Sequence, residues 1–156
     1  MINKIYIFLP IILIVVVIMV ILFINTNKKI VLKNTTRFRL FYTNGYMMNA
    51  DTEYEYVLED GKYIMSIKPY LVDRENIISF EVDKSVIEEI ETILNKYEVY
   101  KWNGFSKSDH NVLDGDSFSF NVKMNDVDIS ASGYMKYPDN YDNCHKALLN
   151  FLESIK

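Results

Sequence analysis

Asp109, His110, Asp114 and Asp116 form the densest cluster of carboxylate and imidazole groups in the chain. Carboxylates beside an imidazole can ligate a cation or move protons, so this stretch is the first place to look for a metal centre or a catalytic set. Its spacing does not follow the Asp-x-Asp-x-Asp-Gly pattern of a calcium loop, and calcium takes about six to eight oxygen ligands. Transition metals fit less well, because the two histidines and single cysteine lack the close ligand pairs of such sites. Cys144 and His145 are adjacent, but neighbours on a helix point about 100° apart and cannot serve each other as nucleophile and base. No Gly-rich phosphate loop, serine elbow or paired catalytic carboxylate motif occurs, so neither a metal nor a cofactor is implied. A hydrolase or metal-dependent enzyme built on His110 with Asp109, Asp114 or Asp116 is the alternative reading.

The same stretch, from Trp102 to Asp116, is the longest expected loop and carries the only tryptophan. Trp102 and Phe105 offer flat apolar faces to a sugar ring or a protein partner, with Asn103 and Asp109 as hydrogen-bonding neighbours. The competing reading makes both rings plugs at the end of a sheet, since large aromatics are mostly buried. The expected ligand-binding set is therefore Trp102, Asn103, Phe105, Asp109, His110, Asp114, Tyr134 and Tyr137, with Tyr141 nearby.

Two hairpins must position these residues. Asp60-Gly61 is a two-residue turn that suits positive φ. Folding about it aligns Leu58 with Tyr63, Tyr56 with Met65 and Tyr54 with Ile67 on one face. Glu59 then meets Lys62, Glu55 meets Ser66 and Glu53 meets Lys68 on the other. A second turn at Asn125-Asp126 sets Phe120 against Ala131 and Phe118 against Gly133, where the small residues make room for rings. Helical spacing of Val86, Ile87, Ile90, Ile93, Leu94 and Tyr97 predicts a helix capped by Asp83 or Ser85. Tyr141, Cys144, Ala147, Leu148, Phe151, Leu152 and Ile155 predict another after Pro138, capped by Asp139 or Asn140. Strands are expected at 36–43, 77–82 and 98–102. The order β-β-β-β-α-β-β-β-α defines an α+β fold with a mainly antiparallel sheet and helices packed on one face.

Ahead of this domain, residues 5–24 carry no charge and reach about 30 Å as a helix, which predicts a single-pass transmembrane segment after a four-residue tail. Residues 25–35 read as a linker or a first edge strand, and 36–156 as one soluble domain. The flanking basic residues favour a cytoplasmic domain. The signal-anchor layout favours the opposite, extracytoplasmic side, and that side is the expectation, with the cell membrane as the location. All 21 acidic residues follow the apolar run, against 16 of the 17 Lys and Arg, so a general nucleic-acid binder is disfavoured. One cysteine allows no internal disulfide, and stability must come from a core.

Four segments carry a likeness to known sequences: Trp102-Asn103-Gly104-Phe105, Val112-Leu113-Asp114-Gly115-Asp116-Ser117-Phe118, Ser130-Ala131-Ser132-Gly133-Tyr134 and Tyr137-Pro138-Asp139-Asn140-Tyr141. Over about residues 84–155 the chain resembles a family of uncharacterised secreted, lipid-anchored or membrane-anchored bacterial proteins. The resemblance implies an exported domain and supplies no catalytic residues. The chain departs from the lipoprotein members in having an apolar helix where they have a lipidated cysteine. The expectation from all this is an envelope-facing, membrane-tethered binding or interaction module with a protein or glycan partner. An accessory subunit of a membrane complex is a further alternative, weakened by the lack of Gly, Ala, Ser and Thr in the apolar run.

Overall fold

The computed structural model describes residues 12–20, 29–43, 52–69 and 77–155. The chain divides into two compact units, Met1–Ile30 and Val31–Lys156. In the first unit, residues 12–20 form a helix, α1, whose side chains are all exposed. Among the described residues no helix is long and apolar enough to cross a membrane. This corrects the expectation of a single-pass anchor over 5–24, and with it the membrane location and extracytoplasmic placement that rested on the anchor. The remainder of that run, 5–11 and 21–24, lies outside the described residues.

The second unit is an α+β domain. Its elements are β1 (Arg37–Thr43), β2 (Thr52–Glu59), β3 (Lys62–Pro69), β4 (Ile78–Val82), α2 (Lys84–Lys96), a 3-10 helix (Val99–Trp102), β5 (Phe105–Ser108), β6 (Ser117–Met124), β7 (Val127–Tyr134) and α3 (Tyr141–Ser154). The seven strands form one sheet in the order β4-β3-β2-β1-β6-β7-β5. Both hairpins take the register that their turns and side-chain parity dictate: Tyr56 opposite Met65, Glu53 opposite Lys68, Phe120 opposite Ala131 and Phe118 opposite Gly133. Asp60 and Gly61 both have positive φ, 48° and 80°, the conformation a tight hairpin turn demands.

Two expectations change here. Residues 98–102 are not a strand, because Val99 and Trp102 are the buried pair, three residues apart, and that spacing suits a 3-10 turn. The strand falls instead at Phe105–Ser108, inside the expected loop, and runs parallel to β7, so the sheet is mixed. Residues 31–35 are neither free linker nor edge strand. The Asn95 carboxamide accepts from the Leu32 N–H and donates to the Leu32 carbonyl, both at 2.8 Å, and Leu32 is buried.

Alternation along the strands sends Phe38, Leu40, Tyr54, Tyr56, Met65, Ile67, Phe118, Phe120 and Val122 to one face, where α2 and α3 cover them. Phe38 stacks on Tyr56 at 5.5 Å and meets Phe120 edge-on at 5.9 Å. Each ring withdrawn from water in this way stabilises the fold by about 1.5–3 kcal/mol. One polar chain runs through this core. Glu91 of α2, only 5% exposed, accepts from the Thr35 N–H at 2.6 Å and the Thr35 hydroxyl at 2.7 Å. Thr35 Oγ1 also bonds the Tyr56 hydroxyl. The Thr35 proton is committed to Glu91, so Tyr56 is the donor. Burial first, and then the Glu91 charge, raise the Tyr56 pKa well above the usual tyrosine value, which keeps that donor proton in place.

The opposite face carries a charge lattice. Arg37 bridges to Glu55 at 2.7 Å, Arg39 to Glu53 at 2.5 Å, and Lys68 to both glutamates at 3.0 and 2.5 Å. Burial acts to raise the pKa of Glu53 and Glu55, but hydrogen bonds and charge from the arginines and Lys68 outweigh it and hold both below the usual 4.5. A carboxylate with a depressed folded-state pKa contributes stability that is complete above its unfolded value and lost as pH falls through the folded one. The urea midpoint is therefore expected to fall as the pH drops below about 4.5, and Glu53→Gln to flatten that fall. A variant with an unchanged slope would show that the lattice is not coupled to folding.

Candidate functional site

The amino end of α3 organises an extended ring stack that reaches the surface. Tyr141 and His145, one helical turn apart, share a face, and Tyr137 joins them across the Pro138-Asp139-Asn140 turn. Centroid separations are 4.8 Å for Tyr137–Tyr141 and 5.3 Å for Tyr141–His145, with interplanar angles of 25° and 14°. Phe118 backs the stack at 4.4 Å from Tyr141, and Tyr42 of β1 caps it edge-on, 4.8 Å from His145. The backbone must come close for Phe118 to fit. A Cβ added to Gly133 would lie 2.0 Å from the Lys136 carbonyl oxygen and 2.7 Å from the Phe118 ring. Beneath the turn, Trp102 donates its indole N–H to the Asp139 carbonyl at 2.9 Å, while Asn140 takes a left-handed φ of 63° to enter the helix.

Among the described residues Tyr137 lines three clefts, of which two are about 300 Å³. The first, about 310 Å³, lies between the 3-10 helix, β5 and the turn, with Tyr97, Glu98, Lys101, Phe105, Lys107 and Asp139 among its walls. Glu98 pairs with Lys101 at 2.7 Å, and the Lys107 ammonium sits 5.3 Å over the Phe105 ring. Two cations and two carboxylates leave this cleft balanced in charge. The second, about 300 Å³, opens on the other side of Tyr137 and is lined by Tyr42, Thr43, Asp116, Ser117, Tyr141, Asp142 and His145. Among the described residues no Lys or Arg lines it.

The residues expected to bind ligand are dispersed by the structure. Trp102 is 2% exposed and packs 5.4 Å from Phe120 and 5.7 Å from Tyr141, so most of the ring plugs the core, and the remainder lines the first cleft beside Phe105 and Tyr137. Phe105 and Tyr137 are half-buried and line the first cleft. Asn103 accepts from the Ser130 N–H at 3.3 Å and ties the strand entrance. Asp109 bonds Lys136 at 3.0 Å and the Asn111 N–H at 3.1 Å, which together hold its pKa below the usual value. His110 and Asp114 are exposed on the following turns. Tyr134 is a strut, its hydroxyl accepting from the Gly115 N–H at 2.8 Å and donating to the Leu113 carbonyl at 2.9 Å. Asp116 of the acidic cluster lines the second cleft. Among the described residues no three His, Cys, Asp or Glu side chains group to hold a metal ion. Cys144 is buried, and burial pushes its thiol up to about 12, which removes the thiolate as a nucleophile at neutral pH.

Sequence reading missed Tyr42, Tyr97, Lys107 and Asp142 as site residues, and weighed His145 only as a catalytic partner of Cys144. The four-residue spacing of Tyr137, Tyr141 and His145 was the one local signal available. Tyr42 reaches the stack through β1–β6 pairing, opposite Phe118. Compared with known proteins, the chain matches no family model and no curated protein.

Proposed function

We propose that the Val31–Lys156 unit is a binding module, and that the cleft between Phe105 and Tyr137 takes a neutral, hydroxyl-rich ligand such as a glycan unit. The observation that carries this reading is the combination of two half-buried rings with a charge-balanced rim of Glu98, Lys101, Lys107 and Asp139. Flat ring faces accept the apolar face of a sugar, while carboxylates and ammonium groups pair with its hydroxyls. At about 310 Å³ the cleft lies at the lower end of the roughly 300–1,000 Å³ usual for ligand sites. An interaction function also accords with the sequestered Cys144 thiol and the dispersal of the acidic cluster.

Titration of the protein with a panel of soluble oligosaccharides tests the reading. Saturable binding is expected, and Phe105→Ala is expected to weaken it by about tenfold, the equivalent of one lost ring contact of about 1.4 kcal/mol. Unchanged affinity in Phe105→Ala, or no binder in the panel, overturns the glycan assignment.

A further inference from the structure

We propose that Met135 is a redox-responsive latch: a peroxide converts its thioether to the sulfoxide, and Gly115 and Asp116 are thereby released from the end of the β6–β7 ladder. That ladder runs as far as Ser117 opposite Tyr134, so the next pair in register is Asp116 and Met135. Met135 donates its backbone N–H to the Asp116 carbonyl at 2.9 Å, as a further rung would. The return bond differs in kind. The Asp116 N–H donates to Met135 Sδ at 3.2 Å, so a side-chain sulphur stands where a backbone carbonyl would complete the rung. Met135 has a φ of 52°, a left-handed conformation that is strained for a residue with a Cβ and that takes it out of the strand.

The sulphur is closely seated. A Cβ added to Gly115 would lie 2.3 Å from Met135 Cγ and 2.8 Å from its Sδ, so the thioether rests on the bare Cα of Gly115. The Asp116 carbonyl that receives the Met135 N–H also accepts from the Tyr137 hydroxyl at 3.5 Å, and Asp116 lines the second cleft. What Met135 holds therefore bears on the shape of that cleft and on the placing of Tyr137.

Met135 is within reach of an oxidant at 37% exposed. Met65 and Met124 are the other described methionines of this unit; the first is 0% exposed, and the second is half-buried with its Sδ accepting from the Lys33 N–H. In the reaction a lone pair of Sδ attacks a peroxide oxygen. The S–O bond forms and the O–O bond breaks; sulphur loses two electrons, and hydrogen peroxide is reduced and leaves as water with both its protons. The oxidised sulphur carries partial positive charge and no longer accepts the Asp116 N–H. Its seat on Gly115 has no room for the added oxygen, so the side chain leaves it for solvent. Cys144 does not compete at neutral pH, because burial pushes its thiol up to about 12 and leaves it little thiolate.

The test treats the isotopically labelled full chain with hydrogen peroxide at neutral pH, with peptide mass spectrometry to place the added oxygen and NMR to follow the backbone. Oxidation of Met135 is expected ahead of Met124 and Met65. As it proceeds, the nuclear Overhauser contact between the Met135 γ-protons and the Gly115 α-protons is expected to vanish, and the Gly115 and Asp116 amide signals to move, while those of Ile90 and Glu91 in α2 stay in place. Methionine sulfoxide reductases of both stereospecificities, with dithiothreitol, should restore the native spectrum. Met135→Leu keeps an apolar side chain without sulphur and is expected to lose the peroxide response at Gly115 and Asp116, whereas Met124→Leu should keep it. Met135 oxidising no faster than Met65, a Gly115 contact that survives in the sulfoxide, or an undiminished response at Asp116 in Met135→Leu would each overturn the proposal. None of these readouts depends on oligosaccharide binding at Phe105.

Discussion

Thr35→Val is expected to lower the unfolding free energy by about 3 kcal/mol, although it exchanges one buried side chain for another of nearly the same shape. Thr35 is fully buried, so the substitution leaves packing almost unchanged and isolates the hydrogen bonds. Its hydroxyl links two elements: it accepts from Tyr56 on β2 and donates to Glu91 on α2. Without it, the Tyr56 proton has lost its acceptor, and Glu91 keeps only the Thr35 backbone N–H of the contacts that tie it to residues 31–35. Bonds to a charged acceptor are worth about 1.5–3 kcal/mol, and a buried donor left unmade costs about 1–3 kcal/mol more. The measurement is a urea titration of the native and variant proteins, followed by a double-mutant cycle with Glu91→Gln. Contacting members of one network couple by about 0.5–3 kcal/mol, so the double variant should lose less than the two single losses combined. A cost under about 1 kcal/mol for Thr35→Val, or simple additivity, would mean that the chain of hydroxyls does not secure residues 31–35 to α2.

That network also marks where sequence reasoning runs out. The hairpin registers were legible because everything that sets them is local: a turn at Asp60-Gly61 or Asn125-Asp126, and a side-chain parity that a one-residue slip would invert. Both long helices of the second unit were legible from their apolar spacing; Asp83 and Asn140 stand at the N-cap positions, but neither side chain makes a capping hydrogen bond. Glu91 was not, because a carboxylate on an apolar helix face reads as an exposed residue until Thr35 is found 56 residues earlier. Strand β5 was invisible for a related reason. It is four residues long, mostly exposed, and pairs in parallel with β7 through Ala131–Tyr134, so it has neither alternation nor a turn to announce it. The apolar run at 5–24 erred in the opposite direction. Continuous hydropathy was taken as a membrane-spanning helix, whereas among the described residues no helix is long and apolar enough to cross a membrane. In the site itself, the chain-local part, Tyr137 and Tyr141, was seen. The residue that turns it into a cleft, Tyr42, depends on a sheet order that places β1 beside β6.

Trp102 was open to two readings in the sequence, a contact face and a plug at the end of the sheet, and the structure buries it between the layers. Trp102→Ala is therefore expected to destabilise the domain by about 3–5 kcal/mol, the range for truncating a buried aromatic. The ring is 2% exposed and touches both the sheet, at Phe120, and α3, at Tyr141, so its removal opens a cavity between layers. It also leaves the Asp139 carbonyl without its indole donor, and that bond pins the turn on which Tyr137 stands. Trp102→Phe separates the two contributions, since it keeps most of the apolar surface and loses the N–H; a smaller cost, about 1–2 kcal/mol, is expected. Phe105→Ala offers the comparison from the surface side, because Phe105 is only half-buried and its loss should cost less stability than that of Trp102. Tryptophan fluorescence in urea follows the native protein and Phe105→Ala directly, as the chain has a single tryptophan, and far-ultraviolet circular dichroism follows the Trp102 variants. Should Trp102→Ala retain the native midpoint, the ring is not holding the layers together. The turn at Pro138–Asn140 would then owe its shape to the Tyr137–Tyr141 stack alone.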